Sequence, residues 1–235
     1  MFQISRFVAI ALMLGVTPAI VGCVKSQSIK QEAPFEVQEL DACLAIVIDM
    51  SGSFSQSWDD RAYGLFLDLS ERFFTEGMGT DTRLVISQLS GSERVVLFEG
   101  EPSELRTRFA GPDELNRFLR DHSEPSQSRV YESTKATLDY IGSLGGVTDQ
   151  TRLLTVILSD MQDSEQDLDV RRQMGNEMIE SLKRYQAAGG GLALYFVSAD
   201  ETTRWKRILS DAGFEPGHYV IENELTQSPQ LPRFE

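Results

Sequence analysis

Short, continuous apolar runs alternate with amphipathic segments from Asp41 onward. The first run, CLAIVID (43–49), is uninterrupted, which is typical of a strand covered on both faces. Apolar residues then recur at helical spacing at Trp58, Ala62, Leu65, Phe66, Leu69 and Phe73. Because strands that alternate with helices form parallel sheets with helices on both faces, the sequence predicts a doubly wound α/β fold.

Six strands are expected in this sheet. They are CLAIVID (43–49), RLVISQL (83–89), ERVVLFEG (93–100), RLLTVILSD (152–160), LALYFV (192–197) and HYVIE (218–222). The turn residues Ser90 and Gly91 join the second strand to the third so closely that the third should lie antiparallel at a sheet edge. Helices are expected from Trp58 to a stop near Gly77 and Gly79, and over 103–109, 112–121, 131–144, 168–188 and 202–212.

The first 22 residues have the layout of a secretory signal. Their one charge, Arg6, precedes an apolar run that is too short and wrongly flanked for a membrane span. Ile20–Cys23 resembles the bacterial lipobox, which implies cleavage before Cys23 and lipidation of its thiol and new amino terminus. Each buried CH₂ of an acyl chain contributes about 0.8 kcal/mol, so two or three chains anchor a protein durably. An ordinary secretory signal with a chance cysteine is the alternative.

These features predict the domain organisation. A signal peptide covers 1–22, a lipidated cysteine and flexible tether 23–40, one domain 41–222, and a loose polar C-terminal tail 223–235. The expected location is the bacterial cell envelope, at the outer membrane facing the periplasm if the source is Gram-negative. The chain would be held there by its lipid anchor.

Charge and cysteine usage narrow the class of protein. Asp and Glu number 36 against 22 Lys and Arg, so the surface lacks the basic character that nucleic acid binding requires. If Cys23 carries lipid, Cys43 has no partner for a disulfide. Cys43 lies at the start of an apolar strand and is therefore expected to be a small buried hydrophobe. Trp205 is likewise expected to pack in the core.

The first predicted strand ends at DMSGS (49–53). In doubly wound sheets ligands bind at the carboxyl ends of the strands, where Asp49, Ser51 and Ser53 would project from one tight loop. DMSGS matches the DxSxS signature of von Willebrand factor type A (vWA) domains, and the resemblance covers roughly 41–222 with the same order of elements. It implies a metal-ion-dependent adhesion site, completed by a hydroxyl from a second loop and an aspartate from a third.

Both further ligands have counterparts by position. The run TVILSD ends in Asp160, where the family usually has Thr-Asp-Gly, and SRVYEST (128–134) resembles TPLYDAL, which places Ser128 on the metal. Serine replaces threonine at 128, and Met161 replaces the glycine, so we expect a different shape for the third loop. Thr134 is a second candidate for the hydroxyl, but it would fall inside a helix.

Hydroxyl and carboxylate oxygens are hard ligands that suit Mg²⁺, with Mn²⁺ as the alternative ion. The resemblance implies that Ser51, Ser53 and Ser128 bind the ion directly, while Asp49 and Asp160 act partly through water. Three neutral ligands leave the charge of the ion poorly neutralised. The expected partner is thus an unidentified protein that offers an Asp or Glu to the metal, and the expected class is a binding module rather than an enzyme.

Three other interpretations remain at this point. DxSxS alone is also typical of a capped turn. A phosphatase of the haloacid dehalogenase type also binds Mg²⁺ after the first strand, but it needs an aspartate where this chain has Ser51. The third is a vWA scaffold with an empty metal site. The acidic stretch 160–169 is expected to be a solvated face and the beginning of the next helix.

Overall fold

All six strands form one sheet in the computed structural model, which describes residues 38–75, 79–90, 94–224 and 229–233. The strands are β1 (Ala42–Ile48), β2 (Thr82–Gln88), β3 (Val96–Gly100), β4 (Arg152–Leu158), β5 (Gly191–Tyr195) and β6 (Tyr219–Glu222). Their order is β3-β2-β1-β4-β5-β6, and β3 alone of these strands runs antiparallel to its neighbour. This is the strand order of the doubly wound dinucleotide-binding fold. The predicted fold class is therefore confirmed, including the antiparallel edge.

The helices lie close to their predicted positions, with one interruption. The first is an α-helical turn, α1 (Ser55–Ser57), then a π-helical segment (Trp58–Ala62), then α2 (Tyr63–Thr75). The others are α3 (Pro102–Arg108), α4 (Pro112–Asp121), α5 (Val130–Ser143), α6 (Leu168–Ala187) and α7 (Ala199–Asp211). Helix α7 begins three residues before its predicted start at Thr202. Its first turn carries Asp200 and Glu201, whose charge suits a helix amino terminus but adds nothing to an apolar pattern.

The sheet separates two apolar layers. Alternate residues of β1 pack on opposite faces, with Leu44, Ile46 and Ile48 on one side and Cys43, Ala45 and Val47 on the other. Both tryptophans are fully buried: Trp58 lies in the layer under α2 and Trp205 in the opposite layer. The expected burial of Cys43 is confirmed, because the side chain is 1% exposed and its thiol is free.

Strand register brings the candidate loops to one edge of the sheet. Ile48 of β1 lies opposite Gln88 of β2 and Leu158 of β4. The next residues stay in step, since the Asp49 amide donates to the Leu158 carbonyl at 3.0 Å and the Leu89 amide to the Ile48 carbonyl at 2.8 Å. The loops that follow β1, β2 and β4 therefore leave the sheet side by side.

The C-terminal tail departs from the expected loose segment. Residues 229–233 pack against the domain: the Tyr195 hydroxyl donates to the Gln230 carbonyl, and the Arg233 amide donates to the Gly217 carbonyl at 2.7 Å. Pro232 is buried, and Leu231 packs on the apolar layer under α2.

Some predictions fall outside the described residues. The signal, Cys23 and most of the tether precede residue 38, and Gly77 and Gly91 lie in the gaps at 76–78 and 91–93. The domain boundaries stay predictions. None of the described helices combines the length and apolar character that a membrane crossing requires.

Candidate metal centre

Asp49 is the buried centre of the candidate site. Its Oδ1 accepts the Ser51 amide at 2.8 Å, and its Oδ2 accepts the hydroxyls of Ser159 at 2.6 Å and Ser128 at 3.3 Å. These donors come from the loops after β1, after β4 and before α5. Burial raises the pKa of the Asp49 carboxyl, and nearby Asp160 raises it further, although the hydrogen bonds from Ser159 and Ser51 lower it.

Ser51 and Ser53 lie beside this carboxylate in a loop that is fixed from both sides. Their Oγ atoms are 3.3 Å apart; Ser51 is buried, whereas Ser53 is exposed. The Gly52 amide donates to the Pro125 carbonyl at 2.8 Å. The Met50 amide donates to the buried Ser90 hydroxyl, also at 2.8 Å. The two serines therefore occupy a loop tied to the segments that follow β2 and α4.

Ser128 is held by the third loop. Its amide donates to the Ser164 hydroxyl at 2.7 Å, and the Ser164 amide donates back to the Ser128 carbonyl at 2.8 Å. The Arg129 amide donates to the Leu89 carbonyl at 2.8 Å, which attaches the same segment to the end of β2. Ser128 is 3% exposed, so its hydroxyl faces the interior of the site and not bulk solvent.

Asp160 follows β4 in a strained turn. Its Oδ1 accepts the Gln162 amide at 2.9 Å, its carbonyl accepts the Ser198 amide at 3.0 Å, and the residue is half-buried. Met161 has φ of 64°, in the left-handed region that favours glycine. Methionine here adopts the conformation that a glycine would adopt without strain, with its side chain buried. The expected difference in loop shape stays a prediction.

The structure thus brings four predicted ligands into mutual contact. Asp49, Ser51, Ser53 and Ser128 are linked by hydrogen bonds, and Asp160 lies near enough for its charge to act on Asp49. The site residues themselves stay a prediction, because proximity does not show a bound ion.

Three supporting hydroxyls escaped the sequence analysis. Ser159 and Ser90 bond the first loop, and Ser164 bonds Ser128. Two of them follow strands β4 and β2 closely, at the edge where ligands were expected. Their position directly after these strands could have identified Ser159 and Ser90 from the sequence. No such signal marks Ser164, because its role depends on how two loops fold together.

The other candidates lie in or at helices. Thr134 lies inside α5, where its buried hydroxyl has no hydrogen-bond partner within the described chain. Asp167 caps α6 by accepting the amides of Asp169 at 2.9 Å and Val170 at 3.2 Å. This agrees with the expectation that the acidic stretch begins a helix. Across the described ranges, no group of three or more His, Cys, Asp or Glu side chains is placed to hold a metal.

The donor set nevertheless fits a hard cation. The candidate site has two carboxylates and three hydroxyls, so it depends on serine oxygens more than on clustered acids. The Ser128 hydroxyl directs its hydrogen to Asp49, which leaves its lone pairs available to a cation. Oxygen ligands with few carboxylates are the set that Mg²⁺ accepts while it retains water.

Comparisons with known proteins were made by sequence and by structure. No protein-family model matches the sequence, and no curated protein matches it significantly. The pilus adhesin SpaC from Lactobacillus rhamnosus GG is similar in structure, with a TM-score of 0.53, 9% identity, and coverage of 79% of this chain and 28% of that one. The manganese-loaded TRAP protein of Plasmodium vivax aligns with a TM-score of 0.51, 12% identity, and coverage of 79% and 68%. The SpRpn10 VWA domain aligns with a TM-score of 0.49, 11% identity, and coverage of 81% and 90%.

At these identities the likeness concerns the fold alone. It agrees with the doubly wound sheet described above. This chain spans less than a third of the adhesin, so the activity of the whole adhesin is not transferred to this chain.

Proposed function

We propose that this chain is a lipid-anchored, extracytoplasmic domain that binds a partner protein through a divalent cation, with Mg²⁺ as the expected ion. The observation that supports it best is the meeting of Asp49, Ser51 and Ser128. They come from two loops that are far apart in the sequence. The Ser51 amide and the Ser128 hydroxyl both donate to the Asp49 carboxylate at the carboxyl edge of the sheet, where doubly wound folds bind ligands.

Ser51, Ser53 and Ser128 would hold the ion directly, and Asp49 and Asp160 partly through water. The ion would supply a positive charge that neutral hydroxyls do not cancel. A carboxylate of the partner is the group such an ion attracts most strongly. A protein of the same fold, TRAP, is known in a manganese-loaded form, which is consistent with metal binding on this scaffold.

The chain would bind its partner outside the cytoplasm. The lipobox-like segment ending at Cys23 supports attachment to a bacterial envelope membrane, with the polar stretch up to residue 40 as a tether. An acidic chain has no general affinity for nucleic acid, so a protein partner suits its charge.

Calorimetry tests whether the chain binds a divalent metal ion. Mg²⁺ or Mn²⁺ added to the purified full chain should give saturable binding heat, and Ser51→Ala should abolish it. Absence of heat with either ion in the wild-type chain would favour an empty scaffold.

A pull-down from envelope extract should then recover a protein in Mg²⁺ and lose it in EDTA, with Ser51→Ala as the matched negative control.

A hydrolase of the phosphatase type gains no support from the site. Its second acid would have to stand at position 51, where a serine donates its amide to Asp49. Turnover of a generic phosphate ester that needs Mg²⁺ and disappears in Asp49→Asn would overturn the proposal in favour of this enzyme.

A further inference from the structure

Arg61 is an exposed cation on the helical segment that follows the candidate loop. Its guanidinium carbon lies 5.4 Å from the centroid of the Phe196 ring, and that ring meets Phe54 edge-on with centroids 5.6 Å apart. Phe54 directly follows Ser53. Two successive ring contacts thus connect Arg61 to the end of the loop that carries Ser53.

Two unusual backbone features hold this arrangement. Arg61 belongs to the π-helical segment (Trp58–Ala62), which begins one turn after the candidate loop. Such segments occur mostly as single turns, frequently at functional sites. Phe196 has φ of 68° and is buried, which is rare for a bulky residue. Backbone strain of this kind concentrates at active sites and ligand clamps.

In its described contact, Arg61 lies against the Phe196 ring and not against a carboxylate. It forms no ion pair within the part of the chain that the structure describes, whereas Arg129, on the Ser128 side, lies 3.4 Å from Glu132. The formal net charge of −14 repels an acidic partner as a whole. An unpaired guanidinium at the site offsets that repulsion locally, and its planar fork matches a carboxylate.

We propose that Arg61 is a second anchor for the partner, so that the recognised segment presents two carboxylates, one to the metal ion and one to the guanidinium. This inference rests on the proposed function, because the metal takes the first carboxylate. It adds a specificity: a segment with two acidic side chains binds more tightly than one with a single acid.

Synthetic peptides with blocked ends test the inference on the purified full chain. One set carries two aspartates separated by one to four residues, and the matched set has one of them replaced by asparagine. In Mg²⁺, calorimetry should show that the best two-aspartate peptide binds about tenfold more tightly than the matched peptide with one aspartate. This factor is the effect of one charge-assisted hydrogen-bonded pair. Arg61→Gln should reduce this ratio to about one, and Arg61→Lys should retain part of it.

Arg106→Gln is the matched control, since it removes the same charge from an exposed residue of α3 and should keep the tenfold ratio. Circular dichroism of Arg61→Gln should match the wild type, which separates lost recognition from unfolding. A ratio near one in the wild type, or a ratio that survives Arg61→Gln, would refute the inference while metal-dependent binding stands. If EDTA leaves all peptide binding unchanged, or no peptide binds, the proposed function fails and the inference with it.

Discussion

The carboxylate of Asp49 is fully buried, and in the described structure its hydrogen bonds come from hydroxyls and an amide, not from a cation. Burial without a compensating positive charge is unfavourable for the ionised form, so the pKa of Asp49 lies above its ordinary value of 3.8. The residue thus opposes the stability of the metal-free domain at neutral pH. A cation bound among the serines would supply the missing charge.

Asp49→Asn should therefore stabilise the metal-free domain while it abolishes metal binding. Because the pKa of Asp49 is raised on folding, the wild type loses stability as the pH rises from 3.8 through the higher pKa of the folded state. In EDTA, thermal unfolding should show that the free energy of unfolding of the variant exceeds that of the wild type by about 1 kcal/mol at pH 7. This difference should diminish toward pH 4. Asp149→Asn, at an exposed position in a turn, should show no such gain. Lower stability of Asp49→Asn at every pH would contradict this account of the carboxylate.

At the scale of elements, the strands were predictable because burial on both faces leaves uninterrupted apolar runs. The helices were predictable from apolar spacing, and their ends less so, as α7 shows. Three features could not be read from the sequence. The π-helical segment has the apolar residues of an ordinary helix, the hydrogen bond between Ser128 and Ser164 is set by loop packing, and Met161 adopts its φ because neighbouring loops impose it.

The turn after β4 offers a test of that imposed conformation. Met161→Gly and Met161→Ala both remove a buried side chain, which contributes about 1.5–3 kcal/mol, so both variants should be less stable than the wild type. Only alanine retains a Cβ in the left-handed region. The free energy of unfolding of the glycine variant should therefore be about 1 kcal/mol higher than that of the alanine variant. Urea unfolding measures both differences. Equal stability of the two variants would show that the backbone at this position is not strained in solution.

On the scale of the whole molecule, charge and attachment act together. A formal net charge of −14 gives the chain no electrostatic attraction to anionic lipid headgroups, which favour basic segments. The proposed attachment at Cys23 would supply membrane affinity through acyl chains and not through surface charge.

Cys23→Ser should consequently release the chain from the membrane. Without a thiol to lipidate, neither acyl chains nor surface charge would hold it, whereas the wild type should partition with membranes even in high salt. Fractionation of cells that produce each form, followed by immunoblotting, measures the distribution. Cys43→Ser is the matched control, because that buried thiol lies in β1 and its replacement should leave the protein with the membrane. If Cys23→Ser stays in the membrane fraction with its amino terminus at Met1, the uncleaved signal segment holds it. If mass spectrometry finds no acyl chain on Cys23 of the wild type, the lipoprotein prediction is wrong.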